Sequence, residues 1–465
     1  MNCKRFMNEN KIYDYIIVGA GILGCATAKH LKDQIPKDEK VLLIDKYPAC
    51  GQGNTSKSNA CYRNVFDTQL NINLCNASIA YYKFVEKTFN LGLKEFGYLW
   101  LLTEDQMKQR KEKRIKINVG EPKYSFLEFL EQQQVKFKIF NQEEIQKIFP
   151  SLRIIADIEN YQTTISYGLL GYQCGALAPD LLVKYYEQEY KNNQGEVKYG
   201  YEVTDVMLKE KGKEFDENYF TTVWRNSECA GVRIRSVKTL EEEIILGKKV
   251  IVCTGAWVNQ LLYKLGIHIG VNAKKRQLFR IKNKTEFVST KAFGNEINSI
   301  PFIILPSGGV FIKPIPENGS IDVGCSDDIG RRFEIEPKIE DATKIFKNSL
   351  DNPRAELDFY QTDVLPILEA YFPEEFNEKV PIEHPSAGLY AYSLDKFPII
   401  AKELNNFYIC TGASGSGIMK GDAIARINVA NILGEEQCSL FNGIKVKVKD
   451  FGLHTRNVPN ETLIL

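Results

Sequence analysis

Hydrophobic and polar positions change period several times along this chain. The β-branched run Tyr15-Ile16-Ile17-Val18 leads straight into Gly19-Ala20-Gly21-Ile22-Leu23-Gly24, and Cys25 to Leu31 then reads as a helix. A second strand, Val41 to Ile44, ends in Asp45. Asn71 to Phe89 reads as an amphipathic helix, with Leu74, Ile79, Tyr82, Phe84 and Val85 as its apolar positions. Gly97 to Leu102 reads as a strand and Glu104 to Arg114 as a charged helix. Pro179 to Lys191 reads as a helix, with Pro179 suited to its first turn. Strand Val197 to Val206 follows, then a charged stretch, Lys209 to Asn218, that reads as a solvated hairpin tip. Strand Lys249 to Cys253 runs into Thr254-Gly255-Ala256-Trp257.

From about residue 270 to 375 the period becomes that of strands: Gln277 to Ile281, Phe302 to Leu305, Gly309 to Ile315 and Ser320 to Cys325. Turns such as Ser307-Gly308-Gly309 and Glu317-Asn318-Gly319 separate them, and residues 338–350 read as a helix. The strand–helix pattern returns at Phe407 to Cys410, followed by Gly412 to Gly417 and a helix from near Gly417 to Leu433. The pattern predicts an α/β domain assembled from several chain segments, with a strand-rich α+β domain inserted.

Composition narrows the function classes. The 465 residues are 44% hydrophobic, and 60 basic and 59 acidic residues leave a net charge of +1. A nucleic-acid binder would carry a basic excess, so none is expected as a partner. No 18-residue apolar run occurs, and Met1 to Asn10 lacks the apolar core of a signal peptide. The expected location is cytoplasmic, with the tail ending in Leu463-Ile464-Leu465 packing back on its own domain or docking on a partner or membrane surface. Eleven cysteines include no C-x-x-C pair, and the four histidines, 30, 268, 384 and 454, are scattered, so no metal site is expected. Cys253 and Cys410 read as small buried strand residues, and His30 as structural.

The chemistry concentrates in three glycine-bearing turns after strands: 19–24, 254–257 and 412–417. In a parallel sheet, strand C-termini share one edge, and ligands bind there. Gly19 permits a tight turn, Gly21 lets a pyrophosphate approach the backbone, and Gly24 lets the helix pack closely on the strand. Asp45 stands where an acid binds a ribose hydroxyl. A helix N-terminus near Gly417 would stabilise negative charge on a reduced flavin.

These motifs, together with Gly53-Asn54-Thr55-Ser56-Lys57-Ser58-Asn59-Ala60-Cys61-Tyr62-Arg63, Cys253 to Trp257, Gly388 to Ile400 and Gly412 to Lys420, resemble the D-amino-acid-oxidase-type FAD-dependent oxidoreductases. The stretch from Gly53 to Phe84 is most similar to the sarcosine oxidase and dimethylglycine dehydrogenase branch. The resemblance spans about residues 12–435. It implies a Rossmann-like FAD-binding domain from residues 11–90, 166–268 and 381–440. A substrate domain would come from 91–165 and 269–380, and a tail from 441–465. It implies that Gly19, Gly21 and Gly24, with Ile22 and Leu23, hold the pyrophosphate of FAD. Asp45, with Lys46 beside it, would hold the ribose. Thr55, Ser56 and Asn59 would line the pyrophosphate and flavin, and Val203 would meet the adenine. Thr254, Gly255 and Trp257 would flank the cofactor. Gly415, Ser416, Gly417, Ile418, Met419 and Lys420 would border the isoalloxazine. Some relatives attach FAD covalently through a Cys; Gly388 matches it here, and no His stands by the fingerprint, so non-covalent FAD is expected. Oxygen-reactive relatives carry a Lys on the strand matching Ser320 to Cys325. Asp322 stands there in this chain, which favours a dehydrogenase over an oxidase, with Lys313 or Lys420 as alternative cations.

The expected substrate is a small amine or amino acid oxidised by hydride transfer from Cα to flavin N5, with oxygen, a quinone or an electron-transfer protein as acceptor. A neutral amine needs no strong protein base, whereas a 2-hydroxy acid does, and only His384 lies near a family motif. A substrate carboxylate calls for Arg63, Lys420 or Arg276, and Tyr390 and Tyr392 wall the pocket or pack in the core. An FAD-dependent hydroxy-acid or glycerol-3-phosphate dehydrogenase is the alternative, although no convincing cation cluster for a phosphate is seen in the sequence. A non-catalytic binding protein on the same fold is a third reading, against which the intact motifs stand. A homo-oligomer is compatible with all three.

Overall fold

Two large sheets, one with a parallel core and one largely antiparallel, organise the fold. The computed structural model describes residues 6–7, 11–116, 123–158, 161–217, 219, 226–282, 284–290, 293, 297–326, 352–459 and 461. The expected helix at 338–350 and the apolar tail end at 463–465 lie outside them. In chain order, β1 (Tyr13–Val18) leads into α1 (Ile22–Lys32), β2 (Val41–Asp45) and α2 (Gln69–Glu86). β3 (Tyr98–Leu102), β4 (Phe137–Asn141) and β5 (Tyr167–Gly171) precede α3 (Pro179–Asn192). Next come β6 (Glu196–Tyr199), β7 (Tyr201–Glu210), β8 (Ser227–Ser236) and β9 (Glu242–Val252). β10 (Asn272–Ile281), β11 (Phe302–Ile304), β12 (Val310–Ile315) and β13 (Ser320–Cys325) follow. β14 (Ile382–Tyr392), β15 (Ile399–Leu404), β16 (Phe407–Thr411) and α4 (Gly421–Leu433) complete the set.

The first sheet pairs β6, β2, β1, β9 and β16 in parallel, with β15 antiparallel at the edge. The register Val18↔Ile44, Val252↔Val18 and Val252↔Ile409 brings the strand C-termini to one level. The apolar central strands β1, β2, β16 and the C-terminal part of β9 are buried on both faces, and Ile16, Ile17, Leu43, Val250, Ile251 and Ile409 are fully buried. The predicted strand Val197 to Val206 divides at Gly200, where φ is +77°. Its first half pairs with β2; its second half turns away with β8 as a hairpin on the N-terminal half of β9.

The second sheet has the order β14-β10-β13-β12-β11-β3-β5-β4, antiparallel except where β11 pairs with β3. Two of the expected domain boundaries shift accordingly. β5 lies beyond residue 165 yet pairs with β3 and β4, and β14 lies beyond residue 380 yet pairs with β10. Hydrogen-bond pairing with strands far away in sequence, which local patterning does not encode, assigns both to this sheet.

Four helices cover the first sheet and converge on Asp422, the second residue of α4. Its Oδ1 faces His30 Nε2 of α1 at 2.6 Å and accepts from Tyr186 Oη of α3 at 3.0 Å. Its Oδ2 accepts from Arg426 Nε at 2.6 Å. Tyr82 of α2 accepts from the Asp422 backbone N–H at 3.2 Å and donates to the Ile418 carbonyl at 2.8 Å. Burial pushes the Asp422 carboxyl up, but His30 and Arg426 outweigh it and hold it low. His30 is therefore structural. The apolar face of α2 buries Leu74, Ile79, Tyr82 and Val85 as expected, whereas Phe84 points outward and is 56% exposed. Among the described residues no helix is long and apolar enough to cross a membrane.

Removing the shared carboxylate leaves buried His30 and half-buried Arg426 without it. Asp422→Ala is expected to destabilise the fold by about 3–5 kcal/mol, read as a fall in the urea midpoint; Asp422→Asn should cost less because the amide oxygen still accepts.

Candidate active site

A long cavity with an empty volume of about 2110 Å³ runs along the C-terminal edge of the first sheet. Its near end is the turn between β1 and α1. Gly19 has φ +101°, and a Cβ there would lie 2.7 Å from the Cys253 carbonyl oxygen. A Cβ on Gly24 would overlap the carbonyl oxygen of Gly19. The two glycines thus let the helix start directly behind the strand, while the first-turn N–H groups stay free of intrahelical partners. Gly21, Ile22 and Leu23 line the cavity, and Gly24 sits beneath them. Thr55 Oγ1 accepts from Ile22 N–H at 3.2 Å.

Asp45 lines the same cavity, and its first partners are backbone. Oδ2 accepts from Ala20 N–H at 2.6 Å and Oδ1 from Tyr47 N–H at 2.8 Å. The acid therefore pins the glycine turn and keeps lone pairs for a hydroxyl. Burial pushes its carboxyl above the ordinary value, against the pull of the two N–H groups. Lys46 Nζ lies 4.5 Å over the Trp257 ring. Val203, Thr254, Gly255 and Trp257 line the middle of the cavity, where Thr254 Oγ1 is buried with no partner among the described residues. Gly415, Gly417 and Ile418 line its far end. Glycines packed too closely for any side chain, an orphaned buried hydroxyl and a long cavity across three strand ends fit an extended adenine dinucleotide.

Two expectations change here. Ser56 is exposed, donates to the Gly53 carbonyl at 3.3 Å and is not in the lining. The last helix begins at Gly421 instead of near Gly417, and its first free amides are occupied: Asp422 N–H by Tyr82 and Ala423 N–H by Ser78 at 3.0 Å. In the preceding turn the N–H groups of Gly417, Ile418 and Met419 meet no acceptor among the described residues.

A second cavity, with an empty volume of about 1000 Å³, adjoins the first. Asn54, Leu389, Tyr390, Ser414 and Gly415 line both. Asn59, Gly388, Ser416, Met419 and Lys420 face this second cavity and not the first. The fold brings Arg63, Lys420, Arg276, Tyr390 and Tyr392 together in it. Tyr390 packs against Gly415, where φ is +81° and a Cβ would lie 2.5 Å from the ring. Arg276 donates from Nη2 to Tyr392 Oη at 2.9 Å and lies 5.6 Å from the Tyr390 ring centre. His384 is not brought in. It is exposed and opposite Arg280 on β14, six residues from Tyr390, or roughly 20 Å at strand rise.

Lys420 is 2% exposed, and its ammonium has no hydrogen bond or ion pair among the described residues. It lies 5.2 Å from the Phe66 ring, which the Arg63 guanidinium approaches to 4.2 Å on its own account. Burial pulls the Lys420 ammonium below its ordinary value. Arg63 also donates to the Val65 carbonyl at 2.6 Å. The same end of the cavity holds an unforeseen residue, Glu461. Its Oε2 accepts from Thr68 Oγ1 at 2.7 Å and Asn71 Nδ2 at 2.8 Å, and its Oε1 from Asp67 N–H at 3.2 Å. Burial first, then Asp67, pushes its carboxyl up to about 7. No local pattern marks one acid in a polar tail as a cavity residue. A cation cluster that the sequence does not reveal is also present: Lys57, Arg63, Arg276, Lys396 and Lys420 line this cavity from four stretches of the chain, Lys57 and Arg63 sharing one.

A parallel-sheet edge carrying a dinucleotide cradle, with a cationic cavity beside it, fits the class of flavin-dependent enzymes. A family profile described as FAD dependent oxidoreductase (DAO) matches residues 14–430. The chain belongs to this family of FAD-dependent oxidoreductases and uses FAD. No curated protein sequence matches it. Among solved structures it is similar to L-proline dehydrogenase from P. horikoshii, at 21% identity, TM-score 0.65, covering 96% of this chain and 97% of that one. Glycine oxidase from Bacillus cereus aligns at 16% identity, TM-score 0.60, covering 93% and 98%. FAD-bound, dithionite-reduced L-alpha-glycerophosphate oxidase from Mycoplasma pneumoniae aligns at 17% identity, TM-score 0.60, covering 94% and 97%.

Gly24→Ala is expected to lose bound flavin, because backbone cannot yield to the new Cβ. Gly21→Ala meets only the Thr55 hydroxyl, at 3.2 Å; it should fold and bind flavin more weakly. The ratio of flavin to protein absorbance after gel filtration separates the two. The raised carboxyl of Glu461 predicts a second effect. The folded chain holds the proton more tightly than the unfolded one, so this group's contribution to stability is full below about 4.5 and declines as pH rises through about 7. Glu461→Gln should flatten that decline in melting temperature.

Proposed function

We propose that the protein oxidises a small amino acid or N-substituted amino acid, and that it does so as a dehydrogenase with non-covalently held FAD. The observation that carries this reading is Lys420, a buried cation without an ion pair among the described residues, facing a cavity beside Arg63. Bound FAD supplies the two-electron acceptor for a hydride from the substrate's Cα. Lys420 and Arg63 hold the substrate carboxylate, which orients the amine-bearing carbon toward the shared wall at Tyr390 and Gly415. Phe66, Phe311 and Tyr390 exclude water from that wall.

No histidine is among the described residues lining the cavity. A hydroxyl substrate would need such a base, whereas a neutral amine drives the transfer with its own lone pair. Glu461, the carboxylate of the lining, turns its oxygens toward Asp67, Thr68 and Asn71. The non-covalent mode is supported by Gly388, which has no side chain to bond. The dehydrogenase reading rests on Asp322, which is buried and held bidentately by Arg280 at 2.8 and 2.9 Å. The neighbouring Lys313 ammonium donates to the Asn59 carbonyl at 2.9 Å.

Anaerobic mixing with proline, sarcosine, dimethylglycine and D- and L-amino acids tests the reading. One or more amines should bleach the flavin band, and air should restore it slowly. Bleaching by hydroxy acids or glycerol 3-phosphate alone would overturn the amine reading, and fast reoxidation in air would overturn the dehydrogenase reading. Lys420→Met should raise KM for the bleaching amine roughly 10–100-fold, with a smaller change in kcat. Because the Lys420 ammonium is held below its ordinary 10.5, KM should rise with pH earlier than for an ordinary lysine, and this rise should vanish in Lys420→Arg.

A further inference from the structure

The chain beyond α4 returns to the substrate cavity, and Arg456 fastens it on the way. Its Nε and Nη2 each donate to one carboxylate oxygen of Asp395, the Nη2 bond measuring 2.6 Å. Nη2 also donates to the Phe397 carbonyl at 2.7 Å, and Nη1 to the Pro398 and Phe451 carbonyls, each at 3.0 Å. These five bonds use all five N–H donors of a guanidinium. They tie the tail to the segment 395–398, which links β14 to β15. Val458 then packs against the core that contains Phe397. At Glu461 the tail reaches the start of α2, where Thr68, Asn71 and the Asp67 N–H bond its carboxylate. There Glu461 is buried and lines the second cavity.

Both ends of this strap border one side chain. The Phe397 ring, whose carbonyl Arg456 holds, is fully buried and lies 5.6 Å from the Lys420 ammonium. Glu461, at the other end, acts on the same ammonium together with Cys75 of α2 and Arg63. Lys420 has no hydrogen bond or ion pair among the described residues. A buried ammonium in that state is costly and draws water toward itself. A wall that keeps it dry has to be held by bonds of its own, and Arg456 supplies them.

We propose that the tail segment 456–461 is a wall of the substrate site, and that Arg456 is the positioning residue that keeps this wall closed over Lys420. An ammonium shielded from water bonds a carboxylate more strongly than a hydrated one does, so the closed tail raises affinity for an acid group. That consequence for turnover rests on the reading of Lys420 as a carboxylate seat; the closure itself does not.

Competitive acetylation of the resting holoenzyme with acetic anhydride over a range of pH, read by peptide mass spectrometry, tests the closure without any substrate. In the unmodified chain Lys420 should be labelled far less than Lys238, which is exposed. Arg456→Met should raise labelling of Lys420 relative to Lys238 by roughly tenfold or more, the order expected when a charge-assisted fastening is lost. It should also move the pH midpoint of labelling up toward the ordinary 10.5, because burial is the largest influence on this ammonium. Arg456→Lys should restore only part of the protection, since one ammonium cannot span a carboxylate and three carbonyls. Glu461→Ala removes the inner end of the wall, leaves the clamp in place and should also raise the labelling. Flavin content and melting temperature report whether each variant is folded. Labelling of Lys420 that stays unchanged in folded Arg456→Met or in folded Glu461→Ala would overturn the proposal. In turnover, Arg456→Met should raise KM for the bleaching amine and change kcat less. Raised labelling with an unchanged KM supports the wall and overturns the carboxylate-seat reading of Lys420 instead.

Discussion

A single buried carboxylate, Asp422, holds the geometry on which both cavities depend. Isolated in a protein interior, it would be strongly disfavoured. Here His30, Arg426 and Tyr186 bond its oxygens, and Tyr82 takes its backbone N–H. Through these contacts the helix behind the glycine turn, the helix after the 412–420 turn and the two helices between them in sequence have one relative placement. That placement decides where the turn amides at 21–24 and at 417–419 point. Ordinary apolar packing between the same helices would tolerate sliding; a satisfied polar node tolerates much less.

The two cavities divide the chemistry. The first is built from backbone: close glycine contacts, turn amides and one acid pinned to two N–H groups. Such a site recognises what every dinucleotide presents. The second is built from side chains brought together from Lys57, Arg63, Arg276, Lys396, Lys420 and Glu461. The two cavities meet at Tyr390 and Gly415, where the ring packs closely on the glycine.

The parts legible in the sequence are those in which neighbours in the chain are neighbours in space. The β1–turn–α1 unit, Asp45 at the end of β2, the run from Gly53 to Arg63 and the strand-rich character of residues 270–325 all follow from local pattern. The parts that were not legible depend on distant pairing. β5 and β14 join the second sheet through partners far along the chain. The cation cluster draws on four stretches, and Glu461 arrives on a tail whose composition says nothing of a cavity. The start of α4 moved by four residues because Tyr82 and Ser78 of another helix cap it. His384 lies close to a family motif in sequence, yet strand geometry carries it far from Tyr390.

A crystal structure of the FAD-loaded protein with a substrate-like carboxylate tests the account most directly. The account predicts the flavin ring at the wall shared by the two cavities, bordered by Gly415 and Tyr390. It also predicts a carboxylate on Lys420 and Arg63 and no bond from Gly388 to the flavin. A flavin ring elsewhere, or a carboxylate bound away from Lys420 and Arg63, would contradict it.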